Sequence, residues 1–110
     1  MAIEGLIAQG VSVNVTLMFS LAHVDAVASA YVAGLERLRQ AGGDPASVMS
    51  VASLFLSRVD TAVDKRLEEI GGDALQLRGK SAVAMAKLAY RRYLERFHHA
   101  GFTPLRSAGA

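Results

Sequence analysis

Val11-Ser12-Val13-Asn14-Val15-Thr16-Leu17 alternates apolar and polar residues without a break. A period of two belongs to a β-strand, whose successive side chains point to opposite faces. Ser12, Asn14 and Thr16 therefore share one face, and the apolar residues take the other. A strand buried between helices normally reads as a continuous apolar run. The polar stripe here predicts a wet or working interior on one side of the sheet.

Reading outward, Ala2 to Gln9 looks like the end of a helix closed by Gly10. Ser20 is a good N-cap for a long helix in which Leu21, Val24, Val27, Ala28, Tyr31, Val32, Leu35 and Leu38 recur at helical spacing up to Gly42-Gly43. Asp44-Pro45 is a turn signal, and Val48 to Leu56 (VMSVASLFL) is a second β-rich run ending in Ser57-Arg58. Asp60 or Thr61 is placed to cap a short helix through Val63, Leu67 and Ile70, stopped by Gly71-Gly72. A last helix is predicted from about Lys80 to His99, with Val83, Ala86, Tyr90, Tyr93, Leu94 and Phe97 on its apolar face and Gly101 and Pro104 ending it. Tyr90, Tyr93 and Phe97 are expected to pack in the core, and Met18 and Met49 to fill gaps in it.

The order helix, strand, long helix, strand, helix, helix predicts an α/β fold with two parallel strands joined by a crossover helix. Two parallel strands make too small a sheet to stand alone, so the pattern reads as a slice of a larger α/β architecture. Residues 1–110 form one segment with no repeat and no low-complexity tract.

Composition narrows the function. The hydrophobic fraction is 52% and the mean hydropathy +0.28, which excludes a disordered chain. With no cysteine there is no disulfide framework, thiol nucleophile or cysteine metal site. MAIEGLIAQG carries no basic leader, and no apolar run reaches the 18 or so residues of a membrane span; a cytoplasmic protein without membrane contact is expected. His98 and His99 are adjacent, so they face different sides of a helix, whereas a metal pair needs i, i+4 spacing; no metal site is expected.

Charge is unevenly placed. Residues 1–77 hold five Lys/Arg against nine Asp/Glu, and residues 78–110 hold seven against one. A small basic helical module binding nucleic acid or an acidic partner through Lys87, Arg91, Arg92 and Arg96 is therefore an alternative reading. It leaves the polar stripe at 12–16 unexplained, and no recognised nucleic-acid motif accompanies it, so no nucleic-acid partner is expected.

In α/β barrels the working residues lie at the carboxyl ends of strands and in the loops that follow. Those positions are Asn14 and Thr16 on the first strand, and Ser53, Phe55 and, just past the end, Arg58 on the second. An amide, two hydroxyls and a guanidinium at one rim suit a phosphorylated polyol, since Arg bonds phosphate bidentately and the others bond hydroxyls.

Asn14-Val15-Thr16-Leu17-Met18-Phe19-Ser20 resembles the NVTLLFS segment of transaldolases, and Ser50-Val51-Ala52-Ser53-Leu54-Phe55-Leu56-Ser57-Arg58-Val59-Asp60-Thr61 resembles their SVASFFVSRVDT segment. Asp64-Lys65-Arg66-Leu67 and Leu77-Arg78-Gly79-Lys80 continue the similarity, which spans nearly all of residues 2–109 and is greatest to the longer bacterial enzymes. The resemblance implies a partial (β/α)8 TIM barrel, with this chain supplying the fifth and sixth strands. It implies transfer of a dihydroxyacetone unit between sugar phosphates in the pentose phosphate pathway, through a lysine Schiff base and without a metal or organic cofactor. It further implies that Thr16 positions a proton-relaying water, that Asn14 and Ser53 bond sugar hydroxyls, that Arg58 grips phosphate, and that Phe55 walls the site.

The same resemblance places the Schiff-base lysine in a segment like KIPGTPEGL that would come just before Ala2-Ile3-Glu4-Gly5-Leu6, and the seventh strand after Leu105-Arg106-Ser107. Lys65, Lys80 and Lys87 fall on or beside predicted helices and make poor substitutes. The isolated chain is expected to be inactive, to be incomplete as a barrel at both ends, and to be completed by the missing barrel segments or by association with itself.

Overall fold

Five α-helices and two strands make up residues 2–110, which are the residues described by the computed structural model. In chain order they are α1 (Ala2–Ala8), β1 (Asn14–Met18), α2 (Leu21–Gln40), β2 (Val51–Leu54), α3 (Ser57–Ile70), α4 (Ser81–Phe97) and α5 (Thr103–Ser107). Short 3-10 turns occupy Pro45–Ser47, Gly72–Leu77 and Ala100–Phe102. The strands pair in parallel, with Asn14 beside Val51 and Val15 beside Ala52, and α2 is their crossover. This is the α/β class read from the sequence.

Local chemistry fixes most of the element ends. Ser20 is extended and its hydroxyl accepts from the His23 N–H at 3.2 Å, which starts α2 where the N-cap signal predicted. Gly71, at φ +71°, closes α3 with its N–H on the Leu67 carbonyl. The Asp44 carboxylate accepts from the Ala46 N–H, and Pro45 opens the 3-10 turn behind it.

Both strands are shorter than their apolar patterns. Ser12 and Ser50 replace ladder bonds with side-chain ones: Val13 N–H donates to Ser50 Oγ at 2.9 Å and Met49 N–H to Ser12 Oγ at 2.8 Å. Ser12 is thus a strand-start brace and leaves the polar stripe to Asn14 and Thr16. At the other end, Leu56 is already helical (φ −100°, ψ −39°), so α3 begins at Ser57. Neither Asp60 nor Thr61 is its N-cap, contrary to the local reading; Thr61 Oγ1 donates to the Ser57 carbonyl. α4 ends at Phe97, capped by the His98 N–H on the Leu94 carbonyl, short of the expected stops: Gly101 lies in the following 3-10 turn and Pro104 in the first turn of α5.

The core lies between α1, α2 and the C-terminal turn: Ile7, Leu35, Leu38, Val48, Phe102 and Leu105 are buried together, with Val13, Tyr31 and Phe97 packed against them. Gly34 lets α1 and α2 close up, because a Cβ there would lie 2.6 Å from Ile7 Cβ. Away from this core the molecule is open. Its radius of gyration is 17.3 Å and its extents 59 × 26 × 17 Å, against about 13 Å expected for a compact chain of this size. Met18 is buried as predicted, but Met49 is 82% exposed. Tyr90 and Tyr93 stack on each other at 5.9 Å in solvent rather than in a core, and only Phe97 of that trio packs inward, on Tyr31 and Phe102. Apolar spacing set one stripe of α4, but among the described residues nothing covers its Val83, Tyr90 and Leu94. No described helix is long and apolar enough to cross a membrane.

Candidate functional site

The candidate site lies where β1 and β2 end; Asn14, expected at the carboxyl end of its strand, instead opens β1 beside Val51, the first residue of β2, so only Thr16 of that pair stands near the rim. On the helix-facing side of the sheet, Val13, Val15 and Met18 look toward α2 and Tyr31 across a cleft of about 1030 Å³. Alternation therefore turns Asn14 and Thr16 to the opposite face, where both are exposed. Thr16 and the half-buried Ser53 each follow the paired Val15 and Ala52, in the interval where the register shifts.

Just beyond, β1 breaks its own pattern. Leu17 adopts φ +62°, a left-handed conformation that costs a branched side chain about 1 kcal/mol. The register slips there: Val15 pairs with Ala52, but Met18 pairs with Leu54. This is a β-bulge, a device common beside binding sites because it re-aims side chains. It returns Met18 to the helix layer, 4% exposed, and throws Leu17 outward at 51%.

The bulge leads into an aromatic floor that the sequence reading found only in part. Phe19 and Phe55 meet edge to face at 5.7 Å, and the Arg58 guanidinium carbon stands 6.0 Å from the centre of the Phe19 ring. The Phe19 N–H donates to His23 Nδ1 at 3.3 Å, while the His23 N–H donates to Ser20 Oγ. His23 holds the third position after the cap, where a capping box carries Glu or Gln, but its ring reaches the N–H of Phe19, one residue before the Ser20 cap. Phe19 and His23 were missed; the Ser20-x-x-His23 spacing was the available signal. Among the described residues, Ser20 and His23 make side-chain hydrogen bonds at this rim.

The large interlayer cleft is a poorer candidate. Its walls are mainly apolar, and two of its cations are committed: Arg92 pairs with Asp25, and Arg96 bonds Ser29 Oγ and the Asp25 carbonyl. Those same two residues were half of the basic set proposed for nucleic acid, so α4 presents Lys87 and Arg91 alone. The His99 ring caps the turn at Gly101 rather than facing His98, and no group of three metal-capable side chains occurs among the described residues.

A family model described as transaldolase/fructose-6-phosphate aldolase matches residues 1–103. The chain belongs to this family. It is 54% identical over 110 residues to the transaldolase of Thermobifida fusca and 56% identical over 110 residues to that of Thiobacillus denitrificans, 99% of the chain being covered in each case. The transaldolase of Mycolicibacterium paratuberculosis is 57% identical over 97 residues, or 87% of the chain. The chain spans 30%, 31% and 26% of the lengths of these relatives. The two parallel strands with their helices fit a portion of the (β/α)8 barrel that the resemblance implied.

Proposed function

We propose that residues 1–110 form one segment of a transaldolase barrel, incomplete at both ends, and that this segment supplies the substrate-holding side of its site. The observation that carries the reading is the meeting of Arg58, Phe19 and Phe55 just past the ends of the two strands that carry the exposed Asn14 and Thr16 and the half-buried Ser53. A guanidinium held over an aromatic ring keeps its N–H fork free for phosphate. Asn14 and Ser53 bond hydroxyls of the sugar, Thr16 holds a water that relays protons, and Phe55 forms an apolar wall.

The reaction proposed is transfer of a dihydroxyacetone unit from a ketose phosphate, such as sedoheptulose 7-phosphate or fructose 6-phosphate, to an aldose phosphate in the cytoplasm. It needs an amine that forms a Schiff base and takes up electrons as the carbon–carbon bond breaks. Lys65 and Lys87 lie on the exposed outer surfaces of α3 and α4, and Lys80 stands exposed at the start of α4. None is on a strand. The amine therefore comes from another part of the barrel, and the isolated segment is inactive.

Grafting residues 2–103 into the matching stretch of the Thermobifida fusca enzyme tests this reading. The graft is expected to turn over fructose 6-phosphate with a suitable aldose phosphate acceptor. Arg58→Ala in the graft should raise the KM for fructose 6-phosphate by about ten- to hundredfold, the loss of a charged hydrogen-bonded contact. An unchanged KM would remove Arg58 from the phosphate site, and an inactive but folded graft would remove the segment from the function.

A further inference from the structure

We propose that Asp60 and Asp64 form a carboxylate clamp that joins α3 to the start of α4 and thereby positions Arg58 over Phe19. α4 begins at Ser81, and its N-cap residue, Lys80, makes no capping bond of its own. The acceptors come from α3 instead. Asp60 Oδ1 accepts from Ala82 N–H at 2.9 Å, and both Asp64 oxygens accept from Gly79 N–H, at 2.9 and 3.2 Å. Spaced by four, the two carboxylates share one face of α3 and reach two donors at the next helix start, the Gly79 N–H just before the cap and the Ala82 N–H in the first turn. Gly79, at φ +74°, supplies the turn that presents its N–H.

The clamp matters because α3 has little else to fix it. No residue of α3 is buried, and the only buried residue of α4 is Ala82, the one whose N–H Asp60 receives. Arg58 lies two residues before Asp60, in the first turn of α3, and its place over the Phe19 ring follows from how that turn is held. The second carboxylate prevents rotation about a single bond. Asp60 and Asp64 thus act through Arg58 and touch no substrate. Their effect on ligand binding rests on the phosphate role given to Arg58 above; their effect on its position does not.

The experiment uses the isotope-labelled chain and reads three signals: amide exchange at Gly79 and Ala82, the ring-current shift of the Arg58 side chain above Phe19, and the midpoint of a titration with inorganic phosphate followed at Arg58 Nε–H. Asp60→Ala should speed Ala82 exchange by about tenfold, the loss of one capping bond, move the Arg58 resonances toward unshifted positions and raise the phosphate midpoint by about threefold or more. Asp60→Asn keeps an acceptor oxygen and should restore the Arg58 shift; Asp64→Ala gives the second reading if Asp60→Ala does not fold. Faster Ala82 exchange in a folded Asp60→Ala or Asp64→Ala variant, with the Arg58 shift unchanged, would overturn the proposal and leave the carboxylates as helix caps. A phosphate titration that leaves wild-type Arg58 unmoved, with the ring-current result as expected, would keep the clamp and refute the phosphate role.

Discussion

Gly34→Ala should destabilise the chain although it places alanine in the interior of a helix. In an exposed helix that change stabilises by about 1 kcal/mol. Here the new Cβ would stand 2.6 Å from Ile7 Cβ, 2.8 Å from Ile7 Cγ2 and 2.9 Å from the Glu4 carbonyl oxygen. One of these neighbours is backbone, and the other is a β-branched side chain with no solvent exposure, so neither can swing aside. α1 must lift from α2. Overpacking of this kind costs about 1–3 kcal/mol, and partial exposure of Ile7 adds a share of the about 1.5–3 kcal/mol tied to its burial. Set against the propensity gain, a net loss of about 1–2 kcal/mol is expected. Gly5 is the internal control: it lies in α1 with nothing within 4 Å of an added Cβ, and Gly5→Ala should stabilise by up to about 1 kcal/mol. Urea unfolding of the parent and both variants measures the two differences. If both variants gained stability equally, the close packing of α1 on α2 would be wrong.

Ser50→Ala removes the acceptor of the part-buried Val13 N–H and should cost about 1–3 kcal/mol, read in the same unfolding assay, whereas Ser12→Ala, whose partner is exposed, should cost less. Burial pushes the Tyr31 hydroxyl above its ordinary value of 10.0, and Tyr93 adds to the rise. The unfolded chain therefore gives up this proton first, so the Tyr31 contribution to stability is intact below about pH 10 and is lost as pH rises from there through the folded value. Tyr31→Phe should flatten that alkaline decline in a pH series of melting temperatures.

Elements whose signals are local were legible in the sequence. Ser20 capping α2, Gly71 closing α3, the alternating first strand and the β-rich second one each depend on neighbours in the chain, and each was found. What escaped depends on partners far away in sequence. Asp60 has the look of a local N-cap, but its partner is Ala82, and no spacing rule separates capping one's own helix from capping the next. Tyr90 and Tyr93 sit at core spacing, yet spacing gives the direction of a stripe and not what covers it. The left-handed Leu17 is the reverse case: a branched apolar residue is the last one expected at positive φ, so the bulge beside Thr16 was invisible in a pattern that otherwise alternated without fault. At the proposed site, Asn14, Thr16, Ser53, Phe55 and Arg58 were named from the sequence, while Phe19, which meets Phe55 and Arg58, and His23, which bonds Phe19 and Ser20, were not.

The most direct measurement is borohydride trapping on the graft of residues 2–103 into the Thermobifida fusca enzyme, with fructose 6-phosphate as donor and peptide mapping of the reduced product. A three-carbon adduct should map to a lysine of the host portion, while Lys65, Lys80 and Lys87 remain unmodified. An adduct on any of those three would contradict the account, because the reactive amine would then belong to this segment and not to the strands it completes.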